Sequence, residues 1–111
     1  MASPFKSALA ANVGTAPVTV YTVPALKVAT LIDCSCANVI ADASEVKGTV
    51  RHVRGGVTIN LIKAGPIPVG GAMVVVGGPR KVVLAAGDQL VAVADKLVAM
   101  DVSASFLEQD A

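Results

Sequence analysis

Apolar and polar side chains alternate with a period of two along most of this chain, the period of an extended strand rather than a helix. In the stretch from Met100 to Phe106, Met100, Val102, Ala104 and Phe106 fall on one face, and Asp101, Ser103 and Ser105 on the other. Val57-Thr-Ile-Asn-Leu repeats the pattern, with its odd positions expected inward and Thr58 and Asn60 outward. From Lys27 to Ala37, Val28, Thr30, Ile32, Cys34 and Cys36 share a face opposite Asp33 and Ser35. Val is abundant while straight-chain helix formers are sparse, and β-branched side chains fit a pleated sheet best. The pattern predicts strands over Ser7–Val13, Pro17–Val23, Lys27–Ala37, Glu45–Val53, Val57–Ile62, Ala72–Val76, Lys81–Leu84, Gln89–Ala94 and Ala99–Leu107.

The segments between these runs carry turn chemistry. Gly14-Thr-Ala-Pro, Arg54-Gly-Gly, Pro66-Ile-Pro-Val-Gly-Gly, Gly77-Gly-Pro and Ala86-Gly-Asp supply glycine for positive φ and proline for a fixed φ. None is long enough for a crossover helix. Short strands about ten residues apart therefore predict an all-β fold, an antiparallel β-sandwich of jelly-roll-like form with eight to nine short strands. One domain accounts for residues 1–111, with residues 1–16 read as a candidate extended N-terminal arm.

Composition narrows the functional classes. Of 111 residues, 54% are hydrophobic, yet only 3% are aromatic: Phe5, Tyr21 and Phe106. Nine Lys and Arg against eight Asp and Glu leave a formal charge of +1, too small a field to hold nucleic acid or an anionic membrane. The longest uncharged stretch, Ser7 to Leu26, is interrupted by Pro17 and Pro24 and diluted by Asn12, Gly14 and three threonines, so no membrane span is expected. The first residues lack the long aliphatic run of a secretory signal, and synthesis in a cytoplasm is expected.

Candidate chemistry is sparse. Cys34 and Cys36 read as two small core residues, because a thiolate metal site would need further ligands from a chain with a single histidine. That histidine, His52, lies in Arg51-His-Val-Arg54-Gly-Gly without a nucleophile elbow and reads as a solvated or contact position. Asp42 with Glu45, and Asp88 with Asp95, read as solubilising or turn-capping carboxylates. No catalytic, cofactor-binding or metal-binding residue is expected. Arg51, His52 and Arg54, with Lys47 and Lys63, form the one basic cluster, suited to a solvated hairpin end or to an acidic patch on a partner. A sugar-binding sandwich would need exposed aromatic platforms, and the chain has few aromatics to offer.

Four segments occur in an order that resembles small virion proteins of tailed bacteriophages: Val20-Tyr-Thr-Val-Pro-Ala, the run from Pro66 to Gly78, Leu84-Ala-Ala-Gly-Asp-Gln-Leu-Val-Ala-Val-Ala, and Met100 to Glu108. Leu26 departs from the pattern, which favours Gly there. In size and composition the chain is most similar to the capsid-decorating staple or cement proteins of short-tailed phages related to epsilon-fifteen. The resemblance implies a non-enzymatic protein on the capsid exterior that binds across major capsid protein subunits and resists internal DNA pressure. A neck, tail or head-fibre module is the alternative, and a carbohydrate-binding sandwich the third. A homodimer is expected because two-fold contact is the commonest symmetric solution. The expected interface residues are Phe5 and Lys6 in the arm and Arg51, His52 and Arg54 in the basic hairpin.

Overall fold

The computed structural model describes residues 4–110. Among the described residues there are nine strands: β1 (Phe5–Val13), β2 (Val18–Thr22), β3 (Lys27–Asn38), β4 (Val46–Arg54), β5 (Val57–Ile67), β6 (Ala72–Val76), β7 (Val82–Leu84), β8 (Gln89–Ala94) and β9 (Met100–Asp110). They form two antiparallel sheets. One has the order β1-β9-β3-β6, with β7 also paired to β3; the other has the order β2-β8-β4-β5. If β6 and β7 count as one strand broken by Gly77-Gly-Pro, this is the jelly-roll order, in which most successive strands alternate between sheets and so fold as interlocked Greek keys.

The core lies between the sheets and consists largely of small aliphatic side chains around Phe106, Leu31, Ile67, Leu84, Leu90 and Met100. Each β9 residue expected inward, Met100, Val102, Ala104 and Phe106, is buried. In β3 the facing differs from expectation. Cys34 and Cys36 are buried, but so are Ala29 and Leu31, whereas Val28, Thr30 and Ile32 are only partly covered. The cause is a β-bulge between Leu31 and Asp33, which inserts one residue and reverses the alternation.

β5 also departs from expectation. Val57 and Ile59 were expected inside, yet both are exposed, because this end of β5 is an edge strand at a hairpin tip on the rim of the sandwich. The strand continues beyond Ile62 to Ile67, through Pro66, which an edge strand tolerates because one row of its N–H groups has no ladder partner. Ala64, with φ +52°, marks the irregularity that permits the extension.

Within the expected N-terminal arm, Phe5–Val13 forms a strand of the chain's own sheet. Phe5 to Val13 pairs with β9 of the same chain, Phe5 opposite Leu107 and Lys6 opposite Phe106, and forms one edge of its sheet. Residues 1–3 of the expected arm lie outside the described residues. Among the described residues, no helix is long and apolar enough to cross a membrane.

Candidate functional site

The polar centre of the molecule is built on the turn that enters β8. Gly87, at φ +84°, turns the chain so that Asp88 points inward, and the carboxylate accepts the backbone N–H of Ala85 at 2.9 Å. The backbone of Asp88 is tied down as well: its carbonyl accepts from the N–H of Val23, and its own N–H donates to Ala85. Asp88 is only 1% exposed, a position where an ionised carboxylate is costly unless its lone pairs are satisfied.

Two side chains of β4 satisfy it. Strand pairing sets His52 opposite Leu90 and Val53 opposite Gln89, which brings the end of β4 alongside the turn. His52 Nε2 lies 2.7 Å from Oδ2 of Asp88. Arg54 donates from Nε to both carboxylate oxygens, at 3.1 and 2.9 Å, and from its terminal nitrogen to Oδ2 at 2.8 Å. Hydrogen bonds from Arg54 first, and then from His52 and the Ala85 N–H, hold the Asp88 carboxyl well below the usual carboxylate range against the opposing effect of burial. His52 is thus not the solvated residue expected of it, and Asp88 caps its turn through the Ala85 N–H as expected but is buried rather than solubilising.

This arrangement locks an ionised carboxylate to fixed donors. Every strong contact to Asp88 is already made within the chain, so its chemistry is that of a tie between β4, β8 and the end of β2. Reading the sequence alone missed Asp88. The available signal was a carboxylate placed directly after a turn glycine, at the head of the apolar strand Gln89–Ala94.

A second tie lies in the neighbouring part of the core. Tyr21 of β2 stacks on Phe106 with ring centroids 4.0 Å apart and donates its hydroxyl to Glu108. Burial, then the hydrogen bond to Glu108 and its negative charge, push the Tyr21 phenol pKa up. One face of the part-buried Tyr21 ring is taken up by Phe106. Cys34 and Cys36 are buried free thiols; a hydrogen bond from Cys34 to Cys36, followed by burial, pushes the Cys34 pKa up. Such thiols pack as core residues rather than as nucleophiles.

The structure does not gather the five expected interface residues into one site. Phe5 and Lys6 lie on β1, at the edge beside β2. Arg51, His52 and Arg54 lie on β4, beside the opposite edge. Within that group, His52 and Arg54 turn to Asp88, while Arg51, one residue out of step, faces the other way.

A surface that sequence reading did not single out is the outward face of the β1-β9-β3-β6 sheet. Cross-strand register places Leu9, Ser103, Ser35 and Val74 in one row across it, with Thr30 and Val83 paired further along. Leu9 is 78% exposed and Val74 67%. A shallow groove of about 280 Å3, lined by Leu9, Ser35, Ala37, Asp101 and Ser103 among others, crosses it. The serines and alanines keep this face low, so the exposed aliphatic side chains stand above a flat floor.

Comparison of the chain with protein families, curated proteins and solved structures finds no match.

Proposed function

We propose that this chain is a non-enzymatic assembly protein that seats the outward face of its β1-β9-β3-β6 sheet on a larger protein surface. The most specific form of this reading is a decoration protein on the exterior of a tailed-phage capsid, bound as a two-fold dimer to the major capsid protein. The observation that carries it is the flat outward face with Leu9, Val74 and Val83 exposed on it. Leu9 and Val74 stand at the two ends of a cross-strand row with the small side chains of Ser103 and Ser35 between them, and covering them with a partner would remove apolar area from water at about 25 cal/mol per Å2.

Two further points support the reading. The buried and part-buried polar side chains are engaged in internal ties: Asp88 with His52 and Arg54, and Glu108 with Tyr21. The resemblance of four turn-and-strand segments to small virion proteins of tailed phages supports a virion setting, and size and composition support the decoration reading within it. The test is addition of purified protein to expanded capsid shells that lack their decoration protein. Saturable binding at hundreds of copies per shell, with raised resistance to heat, is expected. A folded protein that fails to bind at saturating concentration would overturn the capsid reading, and saturation near a dozen copies would move it to the neck.

A further inference from the structure

The edge of a sheet offers a row of backbone N–H and C=O groups to any strand that can reach it, and proteins blunt such edges with short strands, bulges and prolines. Among the described residues, three of the sandwich's four edges are blunted in this way. β2 spans 5 residues, follows Pro17 and is bulged between Thr19 and Tyr21. β5 carries Lys63 and Pro66 and shifts register twice on β4. β6 spans 5 residues and ends at Gly77-Gly-Pro, with the 3-residue β7 beyond it. β1 differs. From Phe5 to Ala10 its register on β9 is unbroken, it has no proline, and Lys6 is its only charge.

The direction of the β1 backbone groups follows from one hydrogen bond. The N–H of Glu108 donates to the carbonyl of Pro4 at 2.7 Å, across the β1-β9 register. Antiparallel pairs alternate from there, so Lys6, Ala8 and Ala10 direct their backbone groups at β9, while Ser7 and Leu9 direct theirs at the open edge. Ser7 and Leu9 are both exposed. Side chains divide by the same alternation. Ala8 and Ala10 pack on the core, whereas Phe5, Ser7 and Leu9 project from the outward face, with Phe5 63% and Leu9 78% exposed.

We infer that β1 pairs antiparallel with β1 of a second copy about a two-fold axis at Ser7, joining two outward faces into one continuous sheet. A second copy is the occupant because the strand is self-complementary in this register. Ser7 meets Ser7 of the other copy, each Phe5 lies opposite Leu9, and each Lys6 lies opposite Ala8, so apolar side chains meet and the two cations do not. The backbone groups of Ser7 that point away from β9 then bond to each other across the axis. The pairing is lateral and leaves the outward face open. It rests on the assembly reading only for the two-fold dimer, whose contact it names.

The experiment is sedimentation velocity of the full chain over a concentration series, with amide hydrogen exchange measured at its dilute and concentrated ends. A monomer–dimer equilibrium is expected. On dimerisation the amides of Ser7 and Leu9 should slow, while those of Lys6, Ala8 and Ala10, already directed at β9, change little. Ser7→Pro removes a donor at the open edge and no β1-β9 bond, so the variant should fold and its dimer weaken by about tenfold or more, one hydrogen bond being lost from each copy. Ser7→Ala keeps the backbone donor and should dimerise like the wild type. A wild-type chain that stays monomeric at the highest concentration, a dimer in which Ser7 and Leu9 exchange as fast as in the monomer, or a folded Ser7→Pro protein with a wild-type dimer would each overturn the pairing. If Ser7→Pro does not fold, the exchange pattern of the wild type decides. Shell binding is measured in parallel. A dimer paired through β1 that does not bind shells would sink the capsid reading alone, and a monomer that binds them would sink the pairing alone.

Discussion

The Asp88 tie and the outward face of the β1-β9-β3-β6 sheet invert the usual placement of side chains. At the tie an ionised carboxylate lies inside, matched by Arg54, His52 and a backbone N–H. On the outward face Leu9, Val74 and Val83 lie outside, against water. Both placements are costly for the isolated chain, but the cost is offset differently. The tie is satisfied within the fold and so contributes to stability, whereas the face gains only when a partner covers it. The two regions should therefore respond to mutation in opposite ways.

The largest effect is expected at the tie. Asp88→Ala leaves the Ala85 N–H and His52 without their acceptor in a buried site, and should lower unfolding stability by about 2–3 kcal/mol, below the full range for buried pairs because Arg54 is exposed and screened. Chemical denaturation measures this. Shell binding at a temperature where the variant is folded should be unchanged. The pH dependence follows from the same contact. Folding depresses the Asp88 pKa, so its contribution is complete above the ordinary aspartate range near pH 3.9 and is lost as pH falls below it, where the unfolded chain takes up a proton first. Asp88→Asn should flatten this acid limb of the stability profile.

The outward face should give the reciprocal result. Val74→Lys together with Leu9→Lys places a charge at each end of the row Leu9, Ser103, Ser35 and Val74. Shell binding should weaken by about tenfold or more, while the melting temperature moves by no more than about 2 °C, because both side chains are already exposed. A large loss of stability in this variant would erase the distinction between the regions.

A smaller effect tests whether stability can be raised without touching either region. Leu26 adopts φ +65° and is 82% exposed, so it bears the strain of a left-handed conformation with little packing in return. Leu26→Gly should stabilise the protein by about 1 kcal/mol with binding unchanged, as read by denaturant unfolding. The smallest effect is alkaline. Folding raises the Tyr21 pKa, so stability should fall as pH rises above about 10, where the unfolded phenol ionises first, and Tyr21→Phe should remove that slope.

The strand pattern was legible because local alternation and turn chemistry agree over most of the chain. All nine strands lie where the periodicity predicts them, and the inward face of β9 is correct at each of its four positions. Facing was misread where a single inserted residue intervenes. The bulge before Asp33 reverses β3, and nothing in Leu31-Ile-Asp announces it, since the pairing with β9 decides its position. Leu26 shows the opposite case: the resemblance singled out its departure from Gly, and the backbone there is indeed left-handed.

The candidate sites were less legible because they depend on contacts far apart in sequence. His52 and Arg54 meet Asp88 across more than thirty residues, through the register of β4 on β8. Read alone, Asp88 resembles any turn carboxylate and His52 any hairpin residue. The outward face is similarly composed from four strands, none of which is distinctive by itself. Phe5 and Lys6, read as part of an arm, belong to the edge strand β1 because Phe5–Val13 finds its partner in β9.

The central claim is that the outward face, and not the polar tie, makes the contact with the larger assembly. Quantitative binding of the wild-type, Leu9→Lys/Val74→Lys and Asp88→Asn proteins to expanded, undecorated capsid shells, each under conditions where it is folded, tests this most directly. The account predicts wild-type affinity for Asp88→Asn and a loss of about tenfold or more for the face variant. Full binding by the face variant, with loss confined to Asp88→Asn, would contradict it.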